Sequence, residues 1–138
     1  MTPKQLDLVR DTWRQVLPIK EEVANLFYQG LFELNPSLRS LFADDLTEQR
    51  IKLIAMLDAV VTGLSNLDAL LPAVRALGTR HKQYGVAPAD YDTVGSALLW
   101  TLQQGLGEAF TLDVRNAWST AYGLLAVEMQ NQSASHAA

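Results

Sequence analysis

Residues 67–86 read LDALLPAVRALGTRHKQYGV, and this stretch decides the fold class of the chain. Positions that share one face of an α-helix recur every three or four residues. In this stretch they are Leu70, Val74, Leu77 and His81. Gly85 is predicted to end this helix, because glycine readily adopts the left-handed conformation that closes helices. His81 is therefore expected on an apolar helix face, close to the C-terminal end.

The same spacing recurs along the rest of the chain, which is therefore predicted to be all-α, with six long helices and a short one. Thr2, Thr47 and Thr111 are the predicted helix caps, and Gln5 completes a capping box with Thr2. The predicted breaks are Pro18, Asn35-Pro36, Ser65-Asn66, Gly85, and Gly105 with Gly107. No segment alternates with period two, and heptads do not persist, so the helices are expected to pack crossed rather than as a parallel bundle.

Composition limits the class of protein. The chain has 138 residues, of which 49% are hydrophobic and 19% charged, with a net charge of −4 and no cysteine. This predicts one folded domain, residues 1–132, followed by a flexible tail, residues 133–138. Acidic residues outnumber basic ones, and the basic residues do not cluster, which argues against nucleic acid as a partner. The lack of cysteine excludes disulfides, cysteine-ligated zinc and thiol catalysis.

The sequence also predicts where the protein is found. Residues 1–5 lack the charged-then-apolar layout of a signal peptide. The most apolar run, Leu53–Leu64, is interrupted by Asp58 and is shorter than the roughly 18 residues of a membrane span. We therefore expect a cytoplasmic protein with no membrane contact, as a monomer or a weak dimer.

His81 is the first candidate for chemistry, since the other histidine, His136, lies in the predicted tail. Its ring N–H is placed to donate to the carbonyl of Leu77, which leaves the second ring nitrogen free for a metal. One histidine does not build a zinc or non-haem iron site, whereas a macrocycle that brings four nitrogens needs only one. A metal-binding His81 therefore points to haem; the alternative is a core histidine with its hydrogen bonds satisfied.

A second group of residues suggests the opposite wall of a pocket. Gln49 and Leu53 are four residues apart and so share a helix face, where a polar and an apolar side chain suit a small half-polar cavity. Tyr28 follows Phe27 in an otherwise apolar helix. The alternatives are a surface glutamine, a tyrosine at the core edge and, for Phe42, an ordinary core residue.

The order of these residues resembles a globin, from Gln5 to about Met129. It is most similar to single-domain bacterial globins, including the Hell's Gate type, and to the haem domain of flavohaemoglobins. The segment from Arg80 to Val86 carries much of the resemblance. The other matching positions are Phe27-Tyr28, Pro36, Leu41-Phe42, Gln49, Leu53, Tyr91, Gly95, Trp118 and Tyr122.

The resemblance implies a role for each residue around a haem b group. His81 would bind the iron, Phe42 would stack on the haem, and Tyr28, Gln49 and Leu53 would form the distal pocket. The residues expected to pack on the porphyrin are Leu77, Val86, Val94 and Leu98. Tyr91 would lie beside His81, and Arg80 and Lys82 would reach the propionates or remain solvated. The family's proximal glutamate is not matched, since Ser133 falls at its position and Glu128 lies more than a turn earlier.

The resemblance also implies function. We expect a five-coordinate haem iron that binds dioxygen reversibly, tightly and with slow release, and that also binds nitric oxide and carbon monoxide. The alternative is an enzyme that converts nitric oxide to nitrate; because 138 residues leave no room for a flavin or nicotinamide domain, it would need a separate reductase. A third alternative is a helical interaction domain without haem, against which His81 and Phe42 argue together.

Overall fold

The computed structural model describes the backbone of residues 1–137 and the side chains of residues 1–131. In this part of the chain, helices joined by short 3-10 segments make up the fold, with no strand, as predicted. The α-helices are α1 (Pro3–Val16), α2 (Lys20–Leu34), α3 (Thr47–Gly63), α4 (Leu67–Gln83), α5 (Pro88–Leu106) and α6 (Leu112–Ala137). The 3-10 segments are Leu17–Ile19, Pro36–Leu41, Leu64–Asn66 and Gly107–Ala109. The side chains of the predicted tail, 133–138, lie outside the described residues.

Local sequence signals place most helix ends. Thr2 and Gln5 form the predicted capping box, each side chain bonding the other's backbone N–H at 3.1 and 3.0 Å. Thr111 accepts a hydrogen bond from the backbone of Val114 at 3.2 Å, as a cap of α6 should. Gly85, with φ of 87°, ends the turn after α4 in the left-handed region. These predictions are confirmed.

The predicted cap of α3 is wrong. Thr47 is the first residue of the helix, Leu46 stands at the N-cap position without a side-chain cap bond, and Asp45 binds Thr47 from just before the helix. Its carboxylate accepts from the backbone N–H of Thr47 at 2.9 Å and from the Thr47 hydroxyl at 2.7 Å. A carboxylate is a stronger acceptor than a hydroxyl, and its charge is favoured at a helix N-terminus. These hydrogen bonds hold the pKa of Asp45 below its usual range.

Three helix pairs form the body of the domain: α1 packs on α6, α2 on α5, and α4 on α6. The buried core includes Val9, Trp13, Leu31, Leu102 and Trp118. Helices α4 and α6 approach so closely that a Cβ on Gly78 would lie 2.5 Å from the carbonyl oxygen of Met129. Glycine at this position lets the two backbones meet, and so sets the position of the helix that carries His81.

Helices α3 and α4 are apolar but poorly buried. Among the described residues, Thr47–Gln83 is long and apolar enough to cross a membrane by length and composition alone. The apolar run therefore extends beyond the Leu53–Leu64 limits read from the sequence. Only Leu53 and Val61 of α3, and Val74 and Gly78 of α4, are buried. Much of the apolar surface of these two helices faces an internal cavity, of which they form two walls.

Candidate functional site

A cavity of about 130 Å³ lies among α3, α4, α5 and α6. Its walls are almost entirely apolar, and the polar groups are an imidazole, an indole and two phenols. From α2, α3 and the 3-10 segment after α3 it is lined by Phe27, Leu53, Met56, Leu57, Val60, Val61 and Leu64. From α4 onward it is lined by Val74, Leu77, His81, Val86, Tyr91, Val94, Leu98, Trp118, Ala121, Tyr122, Leu125, Ala126 and Met129. An apolar cavity with few polar groups is typical of a cofactor or ligand site.

His81 is held in one tautomer. Its Nδ1 lies 2.8 Å from the carbonyl oxygen of Leu77, which only accepts, so Nδ1 carries the proton. This hydrogen bond is the one predicted from the spacing of the two residues. Among the described residues, Nε2 has no hydrogen-bond partner, which leaves its lone pair available in the neutral ring. Burial lowers the pKa of His81 and so favours that neutral form.

Two tyrosines line the same cavity as His81. The ring centroid of Tyr91 is 6.3 Å from that of His81, as expected of a neighbour on the same side of the cavity. The hydroxyl of Tyr122 donates to the backbone carbonyl of Tyr91 at 2.6 Å and ties α6 to α5. Burial raises the pKa of both phenols, so both stay protonated at neutral pH.

Tyr28, Gln49 and Phe42 come together, but outside the cavity wall. Tyr28 is buried, and Gln49, one helical turn before Leu53 of the wall, lies near enough to influence its phenol. Burial raises the pKa of the Tyr28 phenol, although the Gln49 side chain and the charge of Arg50 act in the opposite direction. The ring of Phe42 packs against Tyr28, with centroids 5.5 Å apart. The structure thus joins the three predicted residues to each other and, through Leu53, to the cavity.

The remaining predicted residues divide into two groups. Those placed on the cavity wall are Leu53, Leu77, Val86, Tyr91, Val94 and Leu98. Lys82 and Arg80 are exposed and do not line it. Glu128 pairs with Arg75, whose Nε lies 2.7 Å from its Oε1, so this carboxylate is engaged away from Tyr91. The side chain of Ser133 lies outside the described residues.

Sequence reasoning assigned no role to several cavity residues. Tyr122 entered only as a matching position and Met56 not at all, whereas Leu57, Val60, Trp118 and Met129 were placed on apolar helix faces by their spacing. The apolar spacing that continues after Leu53 indicates which residues of α3 could line a cavity. For α6 the spacing identifies the apolar face but not which of its residues meet the cavity, because that face serves both the core and the cavity.

The site offers a single nitrogen able to bind a metal, Nε2 of His81, rather than a set of several protein ligands. In the described part of the chain, no three His, Asp, Glu or Cys side chains cluster so as to hold a metal ion. A group that brings most of its own ligands, and needs apolar walls plus one axial nitrogen, fits these residues.

Comparisons with known proteins point to one family. The globin family matches residues 25–129. A neuroglobin of Danio rerio is 30% identical over 143 residues, covering 94% of this chain and 90% of the relative. A flavohemoprotein of Bacillus subtilis is 29% identical and covers 89% of this chain, which spans only 32% of that protein's length.

Among solved structures, a similar one is an engineered carbene transferase built on a candidate nitric oxide dioxygenase of Rhodothermus marinus. Its TM-score is 0.86 with 27% sequence identity, over 99% of this chain and 96% of that chain. Similarity over nearly the whole of both chains shows that the fold is shared from end to end.

Proposed function

The chain belongs to the globin family, and from this premise we propose that it holds haem b through His81 and binds dioxygen reversibly. The observation that carries the proposal is the imidazole on the wall of an apolar cavity, with Nδ1 bonded to Leu77 and Nε2 available. When bound, the haem iron supplies a single open coordination site for a diatomic gas. Nitric oxide and carbon monoxide are ligands of the same class.

The chain's own residues fix the position of the group. The Leu77 carbonyl holds the imidazole in the tautomer and orientation that a metal ligand needs. Apolar side chains of the cavity wall would exclude water from around the group; they are Leu53, Leu77, Val86, Val94 and Leu98. Phe42 would stack on the haem at its edge, and Lys82 would neutralise a propionate. Both latter roles need the side chains to move toward the cavity when it fills.

Tyr28 and Gln49 would supply the polar contact opposite His81; because they lie outside the cavity wall, they too must move toward the cavity when it fills. The phenol is protonated and buried, so it offers an O–H donor in a poorly solvated place. A donor in such surroundings interacts more strongly with a partly charged ligand atom than it would in water. Gln49 holds the hydroxyl in place or adds a second donor. This arrangement supports tight binding and slow release.

The test begins with purified protein titrated with hemin. We expect an intense Soret band that shifts on reduction, and shifts again when oxygen is admitted. Removal of oxygen should restore the reduced spectrum over repeated cycles. A reduced protein that oxygen oxidises irreversibly at the first exposure would refute reversible binding.

Nitric oxide dioxygenation is a second candidate, supported by similarity to the Rhodothermus protein and to the Bacillus flavohemoprotein. This activity consumes one electron per turnover in returning the iron to its reduced state, so a reductase must supply it. Addition of a flavin reductase and NADH should convert a single burst of nitric oxide consumption into many turnovers. Consumption that stays at one equivalent per haem would leave oxygen binding as the function.

A further inference from the structure

A single arginine holds the loop that carries Phe42, which is residues 42–46 between the second 3-10 segment and α3. Nη1 of Arg39 donates to the carbonyl oxygens of Phe42 and Ala43 at 3.4 and 2.9 Å, and Nη2 donates to that of Asp44 at 2.8 Å. The backbone N–H of Phe42 in turn donates to the Arg39 carbonyl at 3.2 Å. Arg39 therefore bonds to both backbone groups of Phe42 and fixes the path of the chain there.

The same guanidinium also lies on a cluster of aromatic rings. Its Cζ is 5.4 Å from the ring centroid of Phe32, a distance at which a cation is attracted to the face of a ring. The Phe32 ring packs in turn on the rings of Phe42 and Tyr28, with centroids 5.6 and 6.0 Å away. Arg39 thus holds the backbone of Phe42 directly and supports its ring through Phe32.

Other local bonds fix the two ends of this part of the chain but not Phe42. Asn35 caps the 3-10 segment, and its side chain accepts from a backbone N–H at 3.2 Å. Asp45 accepts from the first backbone N–H of α3 at 2.9 Å. Neither bond includes Phe42, so the position of that residue depends on Arg39.

The bonds from Arg39 use a property that lysine lacks. A guanidinium is planar and presents several N–H donors in a rigid fork, so that two of its nitrogens here bind three consecutive carbonyls. An ammonium group is a compact charge on a flexible stem. Arg39→Lys therefore keeps a positive charge near Phe32 but does not hold the three carbonyls together.

We propose that Arg39 is a positioning residue for the haem: by fixing the backbone at Phe42, it slows the loss of the group on which that ring packs. This inference rests on the proposed haem site and on the stacking role of Phe42. Arg39 bonds to the backbone of Phe42 and not to its ring, so the ring turns toward the cavity about its own side-chain bonds. Without Arg39, the whole loop must be ordered each time the ring packs on the haem, which costs conformational entropy.

The first measurement is the rate of haem loss. Haem-loaded protein is mixed with an excess of apomyoglobin, which captures released haem, and the transfer is followed in the Soret region. We expect Arg39→Lys and Arg39→Gln to raise the rate constant roughly tenfold, the equivalent of about one hydrogen bond. Arg14→Lys is the matched control, because Arg14 is exposed on α1, pairs with Asp11 and does not line the cavity. Its rate should equal that of the wild type.

The second measurement needs no haem. Chymotrypsin cleaves after aromatic residues where the backbone opens locally, and cleavage after Phe42 yields the fragments 1–42 and 43–138, which mass spectrometry identifies. In the apoprotein of Arg39→Lys this cleavage should be severalfold faster than in the wild type or in Arg14→Lys. Phe110, between the last 3-10 segment and α6, is the internal reference, and cleavage after it should be unchanged.

Together the two measurements separate this inference from the proposed function. Without a Soret band in the wild type, the haem site fails and the inference fails with it. With full haem loading, an unchanged rate of haem loss in Arg39→Lys overturns the role of Arg39 alone, even if cleavage after Phe42 is faster. Faster haem loss with unchanged cleavage after Phe42, or with equally faster cleavage after Phe110, also overturns it, because the effect then does not arise in the loop.

Discussion

At the scale of single residues, the sequence predicted contacts within one helix and missed those between helices. The bond from His81 to Leu77 follows from a spacing of four residues, which helix geometry alone brings into register. Phe42 was expected on the haem, yet its ring lies against Tyr28 and Phe32, outside the cavity wall. The position of that ring depends on how three elements pack, which spacing along the chain does not encode.

The contribution of Tyr28 to ligand retention is a prediction at this scale. Tyr28→Phe removes a hydroxyl that donates to a partly charged ligand, a bond worth about 1.5–3 kcal/mol. The oxygen dissociation rate measured by stopped flow should therefore rise roughly 10- to 150-fold. Tyr84→Phe is the control, since Tyr84 is 67% exposed and does not line the cavity. A rate in Tyr28→Phe within about twofold of the wild type would show that the phenol does not hold the ligand.

At the scale of elements, local signals set where helices begin and end, but not which residue caps them. Thr2 and Thr111 cap as predicted, whereas Thr47 is the first residue of α3 and its backbone N–H donates to Asp45. Asp and Thr side chains both accept from backbone N–H groups at helix starts, and the path of the preceding loop decides which one does so. The meeting of α4 with α6 was not predictable, because the partner of Gly78 lies some fifty residues later in the chain.

The crossing of α4 and α6 gives the second prediction. Gly78→Ala puts a methyl group 2.5 Å from the Met129 carbonyl oxygen and must push the two helices apart. Such overpacking costs roughly 1–3 kcal/mol of the free energy of unfolding. Because α4 carries His81, haem affinity should fall as well. Both effects are measured by urea unfolding of the apoprotein and by hemin titration.

Gly123 provides the matched control for this crossing. A Cβ there meets nothing within 4 Å, and alanine is the better helix former by up to about 1 kcal/mol. Gly123→Ala should therefore stabilise the protein and leave haem affinity unchanged. Equal behaviour of the two variants would mean that α4 and α6 are not in close contact.

At the scale of the whole molecule, the fold surrounds an apolar cavity with helices that are distant in sequence. The sequence predicted the all-α class, because helix periodicity repeats from end to end. It did not predict that Trp118, Tyr122 and Met129 line the cavity, since the apolar face of α6 faces both the core and the site. The incomplete burial of α3 and α4 is a property of the assembled fold and is visible only there.

Filling this cavity should stabilise the whole domain, which is the third prediction. A group that binds only the folded state adds about 2.7 kcal/mol at a free concentration of 100 times its Kd. Hemin should therefore raise the midpoint of urea unfolding well above that of the apoprotein. Iron-free protoporphyrin IX, which fills the cavity without binding His81, should raise it less. An unfolding midpoint that hemin leaves unmoved would mean that the folded protein has no haem site.

The central claim, that His81 holds a haem iron, is tested most directly by the visible spectrum of His81→Gly. Wild-type protein should show a Soret band that shifts on reduction and again with carbon monoxide, and His136→Gly should match it. In His81→Gly the band should be lost or altered, and added imidazole, which replaces the missing ring, should restore it. A His81→Gly spectrum identical to that of the wild type in all three states, or no Soret band in the wild type after addition of hemin, would contradict the account.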